Sequence, residues 1–128
     1  MKYKALALDL DGTLTNREKK VPVGNKEAIE KAIDAGVKVI LASGRPLFGI
    51  TPIARELELD KKGGYILAYN GGCIVDCKTG KQMSATIMPQ DCIADICSLA
   101  RANGVYALTY ADTVSYTHLR AHETSQDL

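Results

Sequence analysis

The chain has 128 residues, a formal net charge of +1 with 16 basic and 15 acidic residues, and 46% hydrophobic residues. That length is enough for one core of ordinary size, and interspersed charge of near-zero balance gives no electrostatic footprint for nucleic acid. No segment reaches the ~20 apolar residues of a membrane span, no leader pattern opens the chain, and the cysteines lack C-x-x-C spacing, which together suggest a cytoplasmic protein with reduced thiols.

Tyr3 to Leu8 is mostly apolar without clean alternation and predicts a parallel strand covered on both faces. It runs into Asp9-Leu10-Asp11-Gly12-Thr13-Leu14, which sets two carboxylates two residues apart where open α/β folds place their ligands, with Gly12 allowing a sharp turn. Phosphoryl transfer through a covalent intermediate needs such a pair, one carboxylate to attack and one to move the proton. Asn25 to Ala35 reads as a helix stopped by Gly36, and Val37 to Ala42 as a second buried strand. Ser43-Gly44-Arg45-Pro46 follows, a hydroxyl and a flexible glycine suited to a phosphoryl oxygen.

Pro46 to Leu57 predicts a helix with Ile50, Ile53, Ala54 and Leu57 on its core face. Tyr65 to Tyr69 is strand-like and ends in Asn70-Gly71-Gly72. The runs Gly72 to Asp76 and Met83 to Met88, joined by Lys78-Thr79-Gly80-Lys81, predict antiparallel strands. Asp91 to Ala102 predicts a helix burying Ile93, Ile96, Cys97 and Ala100, and Val105 to Tyr110 a strand. Val114 to Leu128 shows neither a strand nor a sustained helix period and reads as a tail foreign to the fold. Its His118, His122 and Glu123 superficially match zinc-ligand spacing, but no third ligand is evident, so chance is the expected explanation.

The hexapeptide Asp9 to Leu14 resembles motif I of the haloacid dehalogenase (HAD) superfamily, and Ser43-Gly44-Arg45-Pro46 resembles motif II of its Cof-type (IIB) branch. Asn70-Gly71-Gly72 is similar to the family's Asn-Gly-Ala segment, with Gly72 as a departure. The resemblance implies an α/β fold, a HAD-like Rossmannoid parallel sheet with the start of an α+β cap. It implies Asp9 as nucleophile and Asp11 as acid/base, so that the first begins ionised and the second protonated. It further implies a phosphoryl site at Leu10, Gly12, Thr13, Ser43 and Gly44, substrate contacts at Arg45, Asn70 and Gly71, and Mg²⁺ held by Asp9 and the Asp11 carbonyl. The substrate would be a sugar phosphate or other small phosphorylated metabolite.

Only 34 residues separate Asp9 from Ser43, too few for an inserted domain, which by the same resemblance puts the cap after the third core strand. The expected organisation is therefore core over 1–82, the start of a cap over 83–113, and the tail over 114–128. No lysine follows Lys81 and no GDxxND segment occurs, so the family's motifs III and IV are missing. The chain is thus expected to be an inactive N-terminal half. Two other readings stand beside the phosphatase: a phosphomutase of the same superfamily, and a non-enzymatic phosphoacceptor domain of receiver type.

Overall fold

The computed structural model describes residues 2–111 and 114–117. Two compact units follow one another, Met1–Thr86 and the chain from Ile87 onward. The first is built on a five-stranded sheet whose spatial order is its sequence order: β1 (Ala5–Asp9), β2 (Lys38–Ala42), β3 (Tyr65–Ala68), β4 (Cys73–Asp76) and β5 (Gln82–Ala85). The first three strands run parallel and the last two return antiparallel. Parallel neighbours need crossover connections, and these are α1 (Val23–Asp34) between β1 and β2, then α2 (Leu47–Glu56) and the short α3 (Leu59–Lys62) between β2 and β3.

β2 is bracketed by hydrogen-bonded strands on both sides, and its Val39 and Leu41 are fully buried. Against them the core gathers Leu10, Ile29, Ile50, Leu57, Leu59 and Ile66. The stripe Ile50, Ile53, Ala54 and Leu57 is buried as its helical spacing predicts. Pro52 sits inside α2 and cannot donate to the ladder, while the Thr51 hydroxyl donates to Leu47 O in the same turn.

Several expectations need correction. β1 is not covered on both faces: it is an edge strand in which Ala5, Ala7 and Asp9 are exposed and Leu6 and Leu8 half-buried. An edge strand has a hydrogen-bonded neighbour on one side only, so the apolar pattern overstated its burial. α3 was not expected, because four residues are too few to show a period. β5 ends at Ala85 rather than Met88, and its ladder with β4 puts Met83 to Thr86 in the first unit.

The second unit contains α4 (Cys92–Ala102) and a hairpin of β6 (Leu108–Ala111) and β7 (Val114–Thr117). The strand expected from Val105 starts three residues later for a specific reason. Gly104 N donates to Arg101 O and Val105 N to Ala100 O, with Gly104 left-handed, so this stretch closes the end of α4 in a Schellman motif. Of the expected core face of α4 only Cys97 is buried, and Ile93 and Ile96 are exposed. One helix and one hairpin, among the described residues, are too little surface to cover that face. The segment expected to hold no strand does hold one: Val114–Thr117 pairs antiparallel with β6. His118, His122 and Glu123 lie outside the described residues. Among the described residues no helix is long and apolar enough to cross a membrane.

Candidate active site

The parallel register brings the motif residues to one edge. Asp9, the last residue of β1, pairs with Ala42, the last of β2, which pairs in turn with Leu67 of β3. One step beyond those ends lie Ser43 and the turn Tyr69–Gly71. The two are tied together: Ser43 N donates to Leu67 O (3.0 Å), Asn70 N to Ser43 O (3.0 Å) and Tyr69 N to Arg45 O (3.0 Å). Asp9, Ser43 and Asn70 therefore stand on three adjacent strand ends, at the carboxyl edge where open α/β sheets bind ligands.

Local chemistry shapes each position. Thr13 N and Thr15 N both donate to Leu10 O, and the buried Thr15 hydroxyl donates to the same oxygen at 3.0 Å. The chain after β1 is thereby wound into a tight loop, with Gly12 at φ +80°. Tyr69, Asn70 and Gly71 are three successive left-handed residues, at φ 52°, 56° and 91°. Asn tolerates this region and Tyr does not, so the turn carries backbone strain of the kind that collects at functional sites. A Cβ on Gly44 would lie 3.1 Å from Asn70 Oδ1, so glycine at 44 is what allows the Asn70 carboxamide to approach the backbone.

The expected site residues differ in what they can offer. The Asp9 carboxylate is exposed and has no hydrogen-bond or ion-pair partner among the described residues. Ser43 is buried; its Oγ accepts from Arg45 N at 3.1 Å, which leaves its hydroxyl hydrogen free to donate. The Leu10 side chain is fully buried in the core, so only its main chain can face a ligand. Thr13 lines a cleft with Leu6, Leu8, Leu14 and Ile29, of which Asp11 is not a lining residue. Gly71 contributes backbone only.

Asp11 and Arg45 depart most from expectation. The guanidinium grips the carboxylate with two bonds, Nε to Oδ2 at 2.9 Å and Nη2 to Oδ1, while Nη1 donates to Gly49 O at 3.0 Å. The Arg45 hydrogen bond holds the Asp11 carboxyl below its ordinary 3.8, and the same bond raises Arg45 in return. Asp11 in this state is an ionised acceptor, not the protonated acid that the resemblance implies, because a bidentate arginine favours the charged form. No signal in the sequence links positions 11 and 45.

The sign of the resulting pH dependence follows from the lowered value. The pair stabilises the folded chain fully above 3.8, and the contribution is lost as the pH falls through the lower folded value. Asp11 is half exposed, so the pair is worth no more than about 1 kcal/mol. Arg45→Met is expected to lower the melting temperature slightly at neutral pH, with the difference from the parent vanishing in acid. Paired thermal melts across the acid range check this.

Mg²⁺ takes hard oxygen donors and keeps several waters. The Asp9 carboxylate and the Asp11 main-chain carbonyl fit it in kind, but among the described residues no group of three or more His, Cys, Asp or Glu could complete a site. The four cysteines are free thiols, and burial pushes Cys77 up to about 11.

Comparison with known proteins bears on this arrangement. The family model of haloacid dehalogenase-like hydrolases matches residues 6–127. A 5-amino-6-(5-phospho-D-ribitylamino)uracil phosphatase of Bacillus subtilis is 36% identical over 110 residues, 85% of this chain and 36% of that protein. The crystal structure of a haloacid dehalogenase-like hydrolase from Bacteroides thetaiotaomicron superposes with a TM-score of 0.81 at 37% identity, over 98% of this chain and 47% of the other. A subclass IIB sugar phosphatase shares the fold, with a TM-score of 0.69 at 24% identity over 89% of this chain and 43% of that one. This chain thus spans less than half the length of each. A family match over nearly the whole chain, with both aspartates of the hexapeptide in the matched span, settles the affiliation: the chain belongs to the haloacid dehalogenase-like hydrolases.

Proposed function

We propose that this chain is the nucleophile-bearing half of a Mg²⁺-dependent phosphatase that acts in the cytoplasm on sugar phosphates or other small phosphorylated metabolites. The observation that carries the reading is the placement of Asp9, Ser43 and Asn70 on three adjacent strand ends, with a carboxylate on one and a hydroxyl donor on the next. The B. subtilis relative, whose named substrate is a phosphorylated ribityl compound, supports the substrate class. A receiver-type phosphoacceptor is a poorer account, because the family is one of hydrolases.

In this reading an Asp9 oxygen attacks phosphorus, the P–O bond to the ester oxygen breaks, and that oxygen leaves with a proton from Asp11. Water deprotonated by Asp11 then attacks the aspartyl phosphate, releasing phosphate and restoring Asp9. The Ser43 hydroxyl and the Gly44 N–H donate to the phosphoryl oxygens, as the Leu10 and Gly12 main chain would, whereas the Thr13 N–H already donates to Leu10 O. Arg45 favours the ionised form of Asp11 while it grips it, so an anionic substrate group drawing Arg45 away would ease its protonation. The Asp9 carboxylate and the Asp11 carbonyl would hold Mg²⁺, which supplies positive charge against the phosphoryl group. The chain from Ile87 onward would begin a cap that excludes water.

Alone, the chain is expected to hydrolyse p-nitrophenyl phosphate poorly, for want of further metal ligands and of a cation against phosphoryl charge. Fused ahead of the remaining part of the B. subtilis relative, it is expected to support Mg²⁺-dependent turnover. A folded fusion without activity would overturn the reading.

A further inference from the structure

Beside the strand-end site, and sharing Asp11 and Gly12 with it, lies a cleft whose other lining residues the phosphatase reading leaves unused. It is open, about 510 Å³ in volume, and lined by Asp11, Gly12, Thr15, Asn16, Arg17 and Lys19. Asp11 is the one acidic side chain in that lining, and the bidentate Arg45 contact already balances its charge. Lys19 also acts electrostatically on Asp11, and with two cations lining the cleft against this one carboxylate, Arg17 and Lys19 leave it with a positive surplus. Arg17 has no hydrogen-bond or ion-pair partner among the described residues, and Glu18, between the two cations, is not among the lining residues.

The loop that presents these cations is held in place. At its base Leu14 and Thr15 are buried, and the Thr15 hydroxyl is bonded to Leu10 O. At its tip Asn16 N donates to Lys20 O, Lys19 N to Asn16 O, and Lys20 N to Asn16 Oδ1, at 2.9 to 3.0 Å. Lys19 is left-handed at φ 59°, a conformation a non-glycine residue keeps only when its surroundings impose it. Two cations fixed on a closed turn lose less freedom on meeting an anion than two on a free loop would.

We propose that Arg17 and Lys19 form a second anion subsite, which binds a carboxylate or second phosphate of the substrate while the phosphoryl group to be transferred sits at Ser43 and Gly44. The proposal rests on the phosphatase reading of the strand-end site and adds a substrate class to it: phosphate esters carrying another acidic group. Such a remote contact supplies binding energy that holds the ester oriented without touching the reacting atoms.

The test compares two probes of similar size, 3-phosphoglycerate and glycerol 3-phosphate, titrated into the 128-residue chain at low salt and followed by backbone amide shifts. Both are expected to move Ser43 and Gly44, and 3-phosphoglycerate alone to move Arg17 and Lys19, binding about tenfold tighter. The doubly substituted chain, Arg17→Gln with Lys19→Gln, is expected to lose that preference while binding glycerol 3-phosphate unchanged. Its amide dispersion elsewhere reports that it remains folded. Equal binding of the two probes, or a preference that survives the double substitution, would overturn the subsite and leave the phosphatase reading standing. Failure of both probes to move Ser43 and Gly44 would overturn the phosphatase reading, and the subsite would fall with it.

Discussion

Asp9→Asn is expected to abolish ester hydrolysis in a protein that carries this segment at the length of its relatives, lowering kcat by about 10⁴-fold or more. An amide oxygen is too weak a nucleophile to displace an ester from phosphorus, so no smaller effect is consistent with a covalent role. The structure makes the experiment clean. Asp9 holds its place in β1 through main-chain pairing with Ala42, and its side chain is exposed without a partner among the described residues. The substitution therefore removes no contact with the described residues, while taking away both the nucleophile and the oxygen proposed to hold Mg²⁺. Asp11→Asn is not equivalent, because it also removes one of the two carboxylate oxygens that accept from Arg45. Steady-state turnover beside a thermal melt separates the two cases. A folded Asp9→Asn variant with the parental kcat would remove Asp9 as nucleophile.

The placement of the candidate site residues is legible in the sequence where it depends on strand ends. Apolar runs followed by polar, glycine-bearing turns fix where β1, β2 and β3 stop, and parallel order then sets Asp9, Ser43 and Asn70 side by side. What the sequence withheld depends on neighbours. Ala5 and Ala7 look like buried strand positions until the sheet order shows β1 at an edge. Ile93 and Ile96 follow a helical period yet stay exposed, because a period states which face is apolar and not whether anything covers it. The Asp11–Arg45 pair joins residues 34 apart and favours the ionised form of Asp11. β7 is the reverse case, a strand whose signal is present in the sequence but short. Val114-Ser115-Tyr116-Thr117 alternates with period two, but four residues in an otherwise aperiodic stretch weigh little against their surroundings.

The largest loss of stability is expected from Leu41→Ala, at about 2–5 kcal/mol. Leu41 has no exposed surface and lies on β2, paired with Leu8 on one side and Ile66 on the other. Deleting its branched end removes transfer free energy and leaves a cavity that a strand bonded on both sides cannot collapse to fill. A domain of ordinary size is stable by about 5–15 kcal/mol, so this one change consumes a large share of the total. Leu99→Ala supplies the contrast: Leu99 is 66% exposed on α4, and its truncation is expected to shift stability by no more than about 0.5 kcal/mol. Urea midpoints of the two variants check the pair, and a small cost at Leu41 would mean that the core around β2 is loosely packed. The consequence reaches the site, because Leu41 lies two residues before Ser43. Motion of β2 would displace the hydroxyl that the 69–71 turn is hydrogen-bonded to position, so phosphate binding at Ser43 should weaken along with the fold.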